Sequence, residues 1–353
     1  MGRMERRHTP VAGPAAWATR VVPGLVLVGL AFAGCSDDTG GDGTTTAPSV
    51  RAPQTTAAQT TGPSTTALPT TAPSTSEPPT TSPATTGAPA LDRGDESTVA
   101  RMRSDLGVLL ANGPRVAGSS SEAAAVQAFA AEAATITGIT SSLERVPLSG
   151  GGASRNVWVA EVGSGDRVLL LGAHLDTVEG SPGADDNGSG LVVLLELLRR
   201  LVAAPPTEIR VAVVAFGAEE VLPGMGSDAH HFGSRLAAER LETEDALPDW
   251  MISVDMVGLG ERLMAVSYED TDPSLVVEMA ASGAAVGVPV TTLSRGDISD
   301  HEAFARAGVP SAFLWRPDNP TWHTPDDTEV VDAALLENLA VLETLVSRLA
   351  EQP

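Results

Sequence analysis

Two hydrophobic periods alternate along the chain from Glu96 onward. Between Ser97 and Ala111, apolar Val99, Met102, Leu106, Leu109 and Leu110 fall on one helical face, which Asn112-Gly113-Pro114 closes. Ser119-x-x-Glu122 has the form of a capping box and opens a second helix, ending at Gly138. The period then shortens to two: Asn156 to Val162 sets Val157 and Val159 against Trp158 and Ala160, as a strand does. Val168 to Leu171 follows a Gly-Ser-Gly-Asp turn and reads as a buried strand. Leu191, Leu194, Leu195, Leu198 and Leu201 restore helical spacing until Pro205-Pro206 stops it. Ile209 to Phe216 is a β-branched run and another buried strand.

The same alternation continues to the C-terminus. Ser227 to Leu241 reads as a helix after a Pro-Gly-Met-Gly loop, and Trp250 to Met256 as a strand. Asp272-Pro273 opens a helix with proline at its first position, reaching Gly287. Ser299-x-x-Glu302 is a second capping box whose helix closes at Gly308, and a strand follows over Ser311 to Trp315. The last helix, Asp332 to Ala350, carries Leu335, Leu336, Leu339, Leu342, Val346 and Leu349 on one face. Strands alternating with helices of this length predict an α/β domain of three layers: a mixed, mostly parallel sheet with helices on both faces.

Polar side chains gather where the strands stop. Val168 to Leu171 runs into Gly-Ala-His174-Leu-Asp176, and His174 and Asp176, two apart, leave the strand end on the same side. Asp186 stands just before the helix that follows. Ile209 to Phe216 ends in Glu219-Glu220, Trp250 to Met256 contains Asp255, and the loop before the last helix carries His323. A parallel sheet brings such strand ends to one edge, where ligands of open α/β sheets bind. Adjacent glutamates there repel each other, and bound cations would relieve the cost.

Composition divides the chain into three: residues 1–34, 35–95 and 96–353. Arg3, Arg6, Arg7 and Arg20 precede an apolar stretch from Val21 to Ala33, and Ala33-Gly34-Cys35 follows; this reads as a secretory signal. The stretch contains Pro23 and Gly24 and is short for a membrane span. Cys35, the single cysteine of the chain, resembles the lipidated cysteine of a bacterial lipobox, although Phe32 stands where leucine is usual. From Gly40 to Ala90 the chain is Thr, Pro, Ser, Ala and Gly, too poor in apolar side chains to offset the entropy of ordering, hence a disordered stalk. The expectation is an extracytoplasmic protein, anchored to the cell membrane through lipidated Cys35 or secreted. A net charge of −23 argues against a nucleic-acid partner.

Taken together, His174-x-Asp176, Gly183-Ala-Asp-Asp186-Asn-Gly-Ser-Gly190, Phe216-Gly-Ala-Glu219-Glu220, Asp255-Met, Ser299-Asp-His301 and His323-Thr-Pro-Asp-Asp-Thr328 resemble the M28 family of two-zinc aminopeptidases. The resemblance covers about Arg115 to Val346. It implies two Zn2+: one held by His174 and Asp255, the other by Glu220 and His323, with Asp186 bridging them. It also implies Glu219 as general base and Asp176 as the carboxylate that orients the His174 ligand. The substrates it implies are peptides with a free N-terminus.

One position departs from the family. Many relatives carry tyrosine before the last histidine, and here it is Trp322, whose ring N–H donates from a different place. The residues alone leave Asp300 and His301 open between a pocket-lining role and a capped helix start with a surface histidine. His230-His231 reads as a solvated helix start. Two other functions share the pattern: a glutaminyl-cyclase-like acyltransferase, typically with one zinc, and a non-catalytic surface binding protein on the same scaffold. Side-chain preference and oligomeric state are not written in the sequence.

Overall fold

Val168 to Leu171 is apolar on both alternating sides, so a strand built from it has to be covered on both faces. In the computed structural model of the protein that strand, β3 (Arg167–His174), lies in the interior of an eight-stranded sheet. The structure describes residues 96–352 apart from 137, 270 and 297. The signal, Cys35 and the stalk lie outside the described residues.

The other strands are β1 (Ser141–Pro147), β2 (Ala153–Gly163), β4 (Ile209–Phe216), β5 (Trp250–Val254), β6 (Leu263–Tyr268), β7 (Val290–Arg295) and β8 (Ser311–Trp315), in spatial order β1-β2-β4-β3-β5-β8-β6-β7. The four central strands β4-β3-β5-β8 are parallel, β6 and β7 pair parallel at one edge, and β1-β2, β2-β4 and β6-β8 are antiparallel. Among the described residues the α-helices are α1 (Glu96–Leu110), α2 (Ser120–Thr135), α3 (Gly190–Ala203), α4 (Phe232–Thr243), α5 (Ser274–Ala285), α6 (His301–Arg306) and α7 (Asp332–Glu351).

The alternation of β3 shows the layers directly. Leu169, Leu171 and Ala173 enter a large core with α1, α2, α3, α5 and α7. Leu170 enters a smaller core with Ala237, Ala238 and Leu241 of α4 and Phe304 of α6. The chain moves from β3 to β4 on one side and then crosses back over β3 to reach β5. With crossovers of one hand, α3 and α4 must therefore cover opposite faces. The three-layer, mixed sheet is as the sequence predicts. Among the described residues no helix is long and apolar enough to cross a membrane.

The differences from the sequence reading have local causes. Strands β1, β6 and β7 carry no clear pattern: β1 and β7 are edge strands with mostly exposed side chains, and β6 is buried throughout. Helix α4 begins at Phe232, not Ser227, because turns continue through the Pro223-Gly224-Met225-Gly226 segment as far as His230. Pro273 precedes α5, and Asp272 Oδ1 accepts from Ser274 N at 2.9 Å. The first capping box forms in half: Ser119 Oγ accepts from Glu122 N at 3.1 Å, but the Glu122 carboxylate takes Gly118 N and the Ser154 hydroxyl. The second does not form. Ser299 Oγ donates instead to Asp255 Oδ2 at 2.9 Å, and α6 starts at His301 without a side-chain cap.

Arg115 fixes the loop after β3, and nothing in the sequence marks it. Its side chain is fully buried. The guanidinium donates to the carbonyls of Leu175, Pro182 and Gly183 at 2.7, 2.7 and 3.0 Å. Burial pulls it down to about 10, against the attraction of Asp176 and Asp186. Arg115→Met keeps much of the volume and strands three buried acceptors. The expected cost is about 2–4 kcal/mol, a fall in melting temperature on the order of 5–10 °C, read by calorimetry. An unchanged melting temperature would show that the loop does not depend on this residue.

Candidate metal centre

The parallel registers decide which side chains meet. His174 pairs with Phe216, and Val254 with Leu314, so β3, β4, β5 and β8 end along one edge. His174 is the last residue of β3, Glu219 and Glu220 follow β4, and Asp255 follows β5. Asp186 lies in a wide helical turn, Ala184–Ser189, leading into α3, with φ −106° and ψ 88° of its own.

Asp186 faces two ways. Its Oδ1 is 3.0 Å from His174 Nε2, and that nitrogen is 3.3 Å from Asp255 Oδ1. Its Oδ2 is 3.2 Å from His323 Nε2, which is 3.1 Å from Glu220 Oε1. Two donor groups result, His174/Asp186/Asp255 and Asp186/Glu220/His323, each with atoms within 4.8 Å of one another. The structure thus brings together His174, Asp186, Glu220, Asp255 and His323, with Glu219 beside them in a third group with His174 and Glu220.

This donor set fits metal. Imidazole nitrogen and carboxylate oxygen are what zinc accepts outside thiolate sites. Asp255 Oδ1 is buried with no hydrogen-bond partner, while Oδ2 is held by Ser299. An orphaned buried oxygen beside a converging imidazole is what a cation would satisfy.

The charges point the same way. Burial pushes Glu220 up to about 8, with help from Asp186 and Glu219. Burial would also raise Asp186, but hydrogen bonds from His174 and His323 hold it well below the usual carboxylate range. Burial would lower His323, yet Asp186 and Glu220 push it up to about 10. His174 is likewise raised by Asp255 and Glu219 against its own burial. Negative charge exceeds what two imidazoles can balance, and dications would balance it.

Asp176 is fully buried and does more than face a histidine. Its Oδ1 accepts from Glu219 N at 2.9 Å and its Oδ2 from Glu220 N at 3.1 Å. His174 Nδ1 lies nearer the Asp176 backbone oxygen, at 3.1 Å, than its carboxylate, at 3.9 Å. One carboxylate therefore fixes the backbone of both glutamates. Asp327 does the same for the other loop, accepting from Asp185 N at 2.8 Å and Asp186 N at 3.1 Å. It belongs to the loop of His323 and so ties that histidine to Asp186.

Four residues at the site have left-handed backbone although none is glycine: Ala218 (φ 58°), His231 (φ 56°), Met256 (φ 52°) and His323 (φ 58°). His323 is a candidate ligand, Met256 follows Asp255, Ala218 precedes Glu219, and His231 lies against Glu219. Such backbone is uncommon in non-glycine residues and concentrates at functional sites. A cavity of about 400 Å³ opens over the centre. Ile298, Phe313 and Trp315 form an apolar wall, and Trp322, 53 % exposed, lies at the rim with its ring 4.2 Å from that of His323.

Two expectations are corrected here. His301 is not a surface histidine: it is fully buried, with its ring stacked 5.7 Å from that of Phe313. Nor does it line the cavity. Asp300 is equally buried, pushed up to about 7 by burial and by Glu219. His231 is not a solvated helix start but is 3 % exposed, with Nε2 at 3.0 Å from Glu219 Oε1. The two-residue spacing in the sequence could not show that the loop folds back on β4.

The chain is 34% identical over 171 residues to Aminopeptidase YwaD of Bacillus subtilis (strain 168), covering 46% of this chain and 36% of that protein. The chain spans about a third to a half of the length of the curated relatives it matches. Among solved structures, a zinc aminopeptidase from Bacillus subtilis matches 71% of this chain and 95% of its own at a TM-score of 0.61 and 18% identity. A glutaminyl cyclase from an Acidobacteriales bacterium matches 77% and 99% at 0.63 and 20%. At these identities the two structures show the fold. The family model of Peptidase family M28 matches residues 156–344. That span takes in every strand end that carries a site residue, and the chain belongs to peptidase family M28.

Proposed function

We propose that the protein is a two-zinc aminopeptidase acting on peptides outside the cytoplasm. The observation that carries this is the two-sided carboxylate of Asp186, one oxygen toward His174 and Asp255 and the other toward Glu220 and His323. His174 and Asp255 would hold one zinc, Glu220 and His323 the other, with Asp186 shared. Zinc bound there would supply Lewis-acid polarisation of a peptide carbonyl and would acidify water.

The remaining steps belong to the chain. Burial would raise Glu219, but His174 and His231 beside it hold its carboxyl below the usual range. An ionised carboxylate can take a proton from water as the carbonyl is attacked and return it to the departing amine. Asp176 holds the Glu219 amide, so this carboxylate starts from a fixed backbone. The surrounding carboxylates would hold a free α-ammonium, which favours trimming from the N-terminus. The apolar wall of Ile298, Phe313 and Trp315 is where the side chain of the first residue would lie.

A panel of aminoacyl-p-nitroanilides and an N-terminal glutaminyl peptide, with and without chelator, tests the reading. Expected are release of nitroaniline that chelator abolishes and two zinc ions per chain by elemental analysis. Cyclisation of the glutaminyl peptide without hydrolysis, on one zinc, would establish the acyltransferase instead. Metal-replete protein inactive on all of these would leave a binding protein.

Glu219→Gln should retain both metals and the melting temperature while kcat falls on the order of a hundredfold or more. Near-normal turnover at full metal content would show that another group moves the proton.

We place the enzyme on the outer face of the cell membrane, held by lipidated Cys35 with residues 36–95 as a spacer. Diacylglyceryl and amide-linked acyl chains are ample for stable attachment at about 0.8 kcal/mol per buried CH₂. Cys35→Ser should abolish labelling by a palmitate analogue and move the protein out of the lipidated membrane fraction with peptidase activity intact. Unlabelled wild-type protein, wholly in the medium, would rule out the anchor.

A further inference from the structure

His231 belongs to the site but is neither a candidate ligand nor the base. It precedes α4 and is held in the left-handed region at φ 56°. Its backbone N donates to Glu219 O at 2.8 Å, and Phe232 N donates to Ala218 O at 2.8 Å, so the return of the chain is pinned to the strand end beside the glutamates. The imidazole then has two carboxylates to meet. Nε2 lies 3.0 Å from Glu219 Oε1, and Nδ1 lies 2.9 Å from Glu302 Oε2.

Glu302 is itself anchored. It is 2 % exposed, and it accepts from Arg235 Nη2 at 3.1 Å through Oε2 and from Arg306 Nε at 2.5 Å through Oε1. Arg235 belongs to α4 and Arg306 to α6, so both helices of the smaller core brace the carboxylate that braces the imidazole. Among the described residues, the groups facing His231 include Glu219, Glu302 and the buried Asp300, with the His230 ring 4.0 Å away, edge to face. A chain of polar contacts runs from two partly exposed arginines, through Glu302 and His231, to Glu219.

A carboxylate that exchanges a proton has two oxygens and freely rotating side-chain torsions. Fixing one oxygen removes that freedom before the reaction, and small misplacements of a reacting group cost rate steeply. We propose that His231 is a positioning residue for Glu219: it occupies Oε1, sets the rotamer of the side chain, and leaves Oε2 as the oxygen that exchanges the proton. This rests on the reading of Glu219 as the base, and its test separates the two.

His231→Asn and His231→Gln in the full chain distinguish positioning from packing. Asparagine tolerates left-handed backbone and carries an amide near the place of Nδ1, within reach of Glu302 but short of Glu219. Glutamine carries its amide near the place of Nε2. His231→Asn should lower kcat on the order of tenfold to a hundredfold with KM, zinc content and melting temperature close to wild type. His231→Gln should recover most of that loss. Unchanged kcat in His231→Asn, or equal losses in both variants that follow the melting temperature, would overturn the proposal. A wild-type chain without peptidase activity would sink the peptidase reading alone. The contact is then read by the ring N–H proton of His231 in ¹⁵N-histidine-labelled protein. That signal should shift in Glu219→Gln, and an unmoved signal would overturn the contact itself.

Discussion

Burying several carboxylates within a few ångströms of one another is unfavourable unless something fixes them and balances their charge. Asp186, Glu219, Glu220 and Asp255 are placed in that way, each less than a tenth exposed. The structure answers with a second layer of acceptors and donors behind them. Asp176 holds the amides of both glutamates, Asp327 the amides of Asp185 and Asp186, and Ser299 one oxygen of Asp255. Each fastens backbone or the far side of a carboxylate, so the remaining oxygens point inward. The arrangement stores an electrostatic demand for cations. The imidazoles of His174 and His323 face these carboxylates, which drive both upward against the effect of burial.

The fold supplies this geometry through parallel register more than through any loop. His174 opposite Phe216 and Val254 opposite Leu314 mean that the chain leaves four neighbouring strands at one level. Gly172 shows how tightly that core is closed, since a Cβ there would meet the Phe216 ring at 2.3 Å. Gly190, at the start of α3, lies so close to β5 that a Cβ would meet Val254 O at 2.2 Å. The helix carrying the Asp186 turn is thereby pressed against the strand that delivers Asp255. Buried strands and a packed helix start set the distances between the candidate ligands, and rigid elements hold a site better than loops do.

This division explains what could be read from the sequence. The central strands announce themselves as apolar runs, and the polar residues that break them, His174, Asp176, Glu219, Glu220 and Asp255, are visible for the same reason. Edge strands β1 and β7 are mostly exposed and carry no such contrast. Arg115 and His231 are invisible for a different reason: an arginine after a Gly-Pro turn and a histidine after a loop look solvated. Only the return of the chain over β4 and over the loop after β3 buries them. Ser299 misled because a capping box and a hydrogen bond to a distant carboxylate need the same hydroxyl. The tertiary partner won, since a buried carboxylate left without a donor costs more than an uncapped helix of one and a half turns.

Left-handed backbone at Ala218, Met256 and His323 follows from the same competition. Each sits where the chain must turn sharply off a packed strand or loop to present a neighbouring polar side chain inward. An extended residue there would carry the next side chain past the centre. The strain is local, of order 1–3 kcal/mol per residue in general, and is sustained only because the hydrogen bonds behind it over-determine the turn. Ala218 illustrates this: the Glu219 and Glu220 amides are both tied to Asp176, and its own carbonyl is tied to Phe232 N. The geometry of the candidate ligands is therefore a property of the backbone network as much as of their side chains.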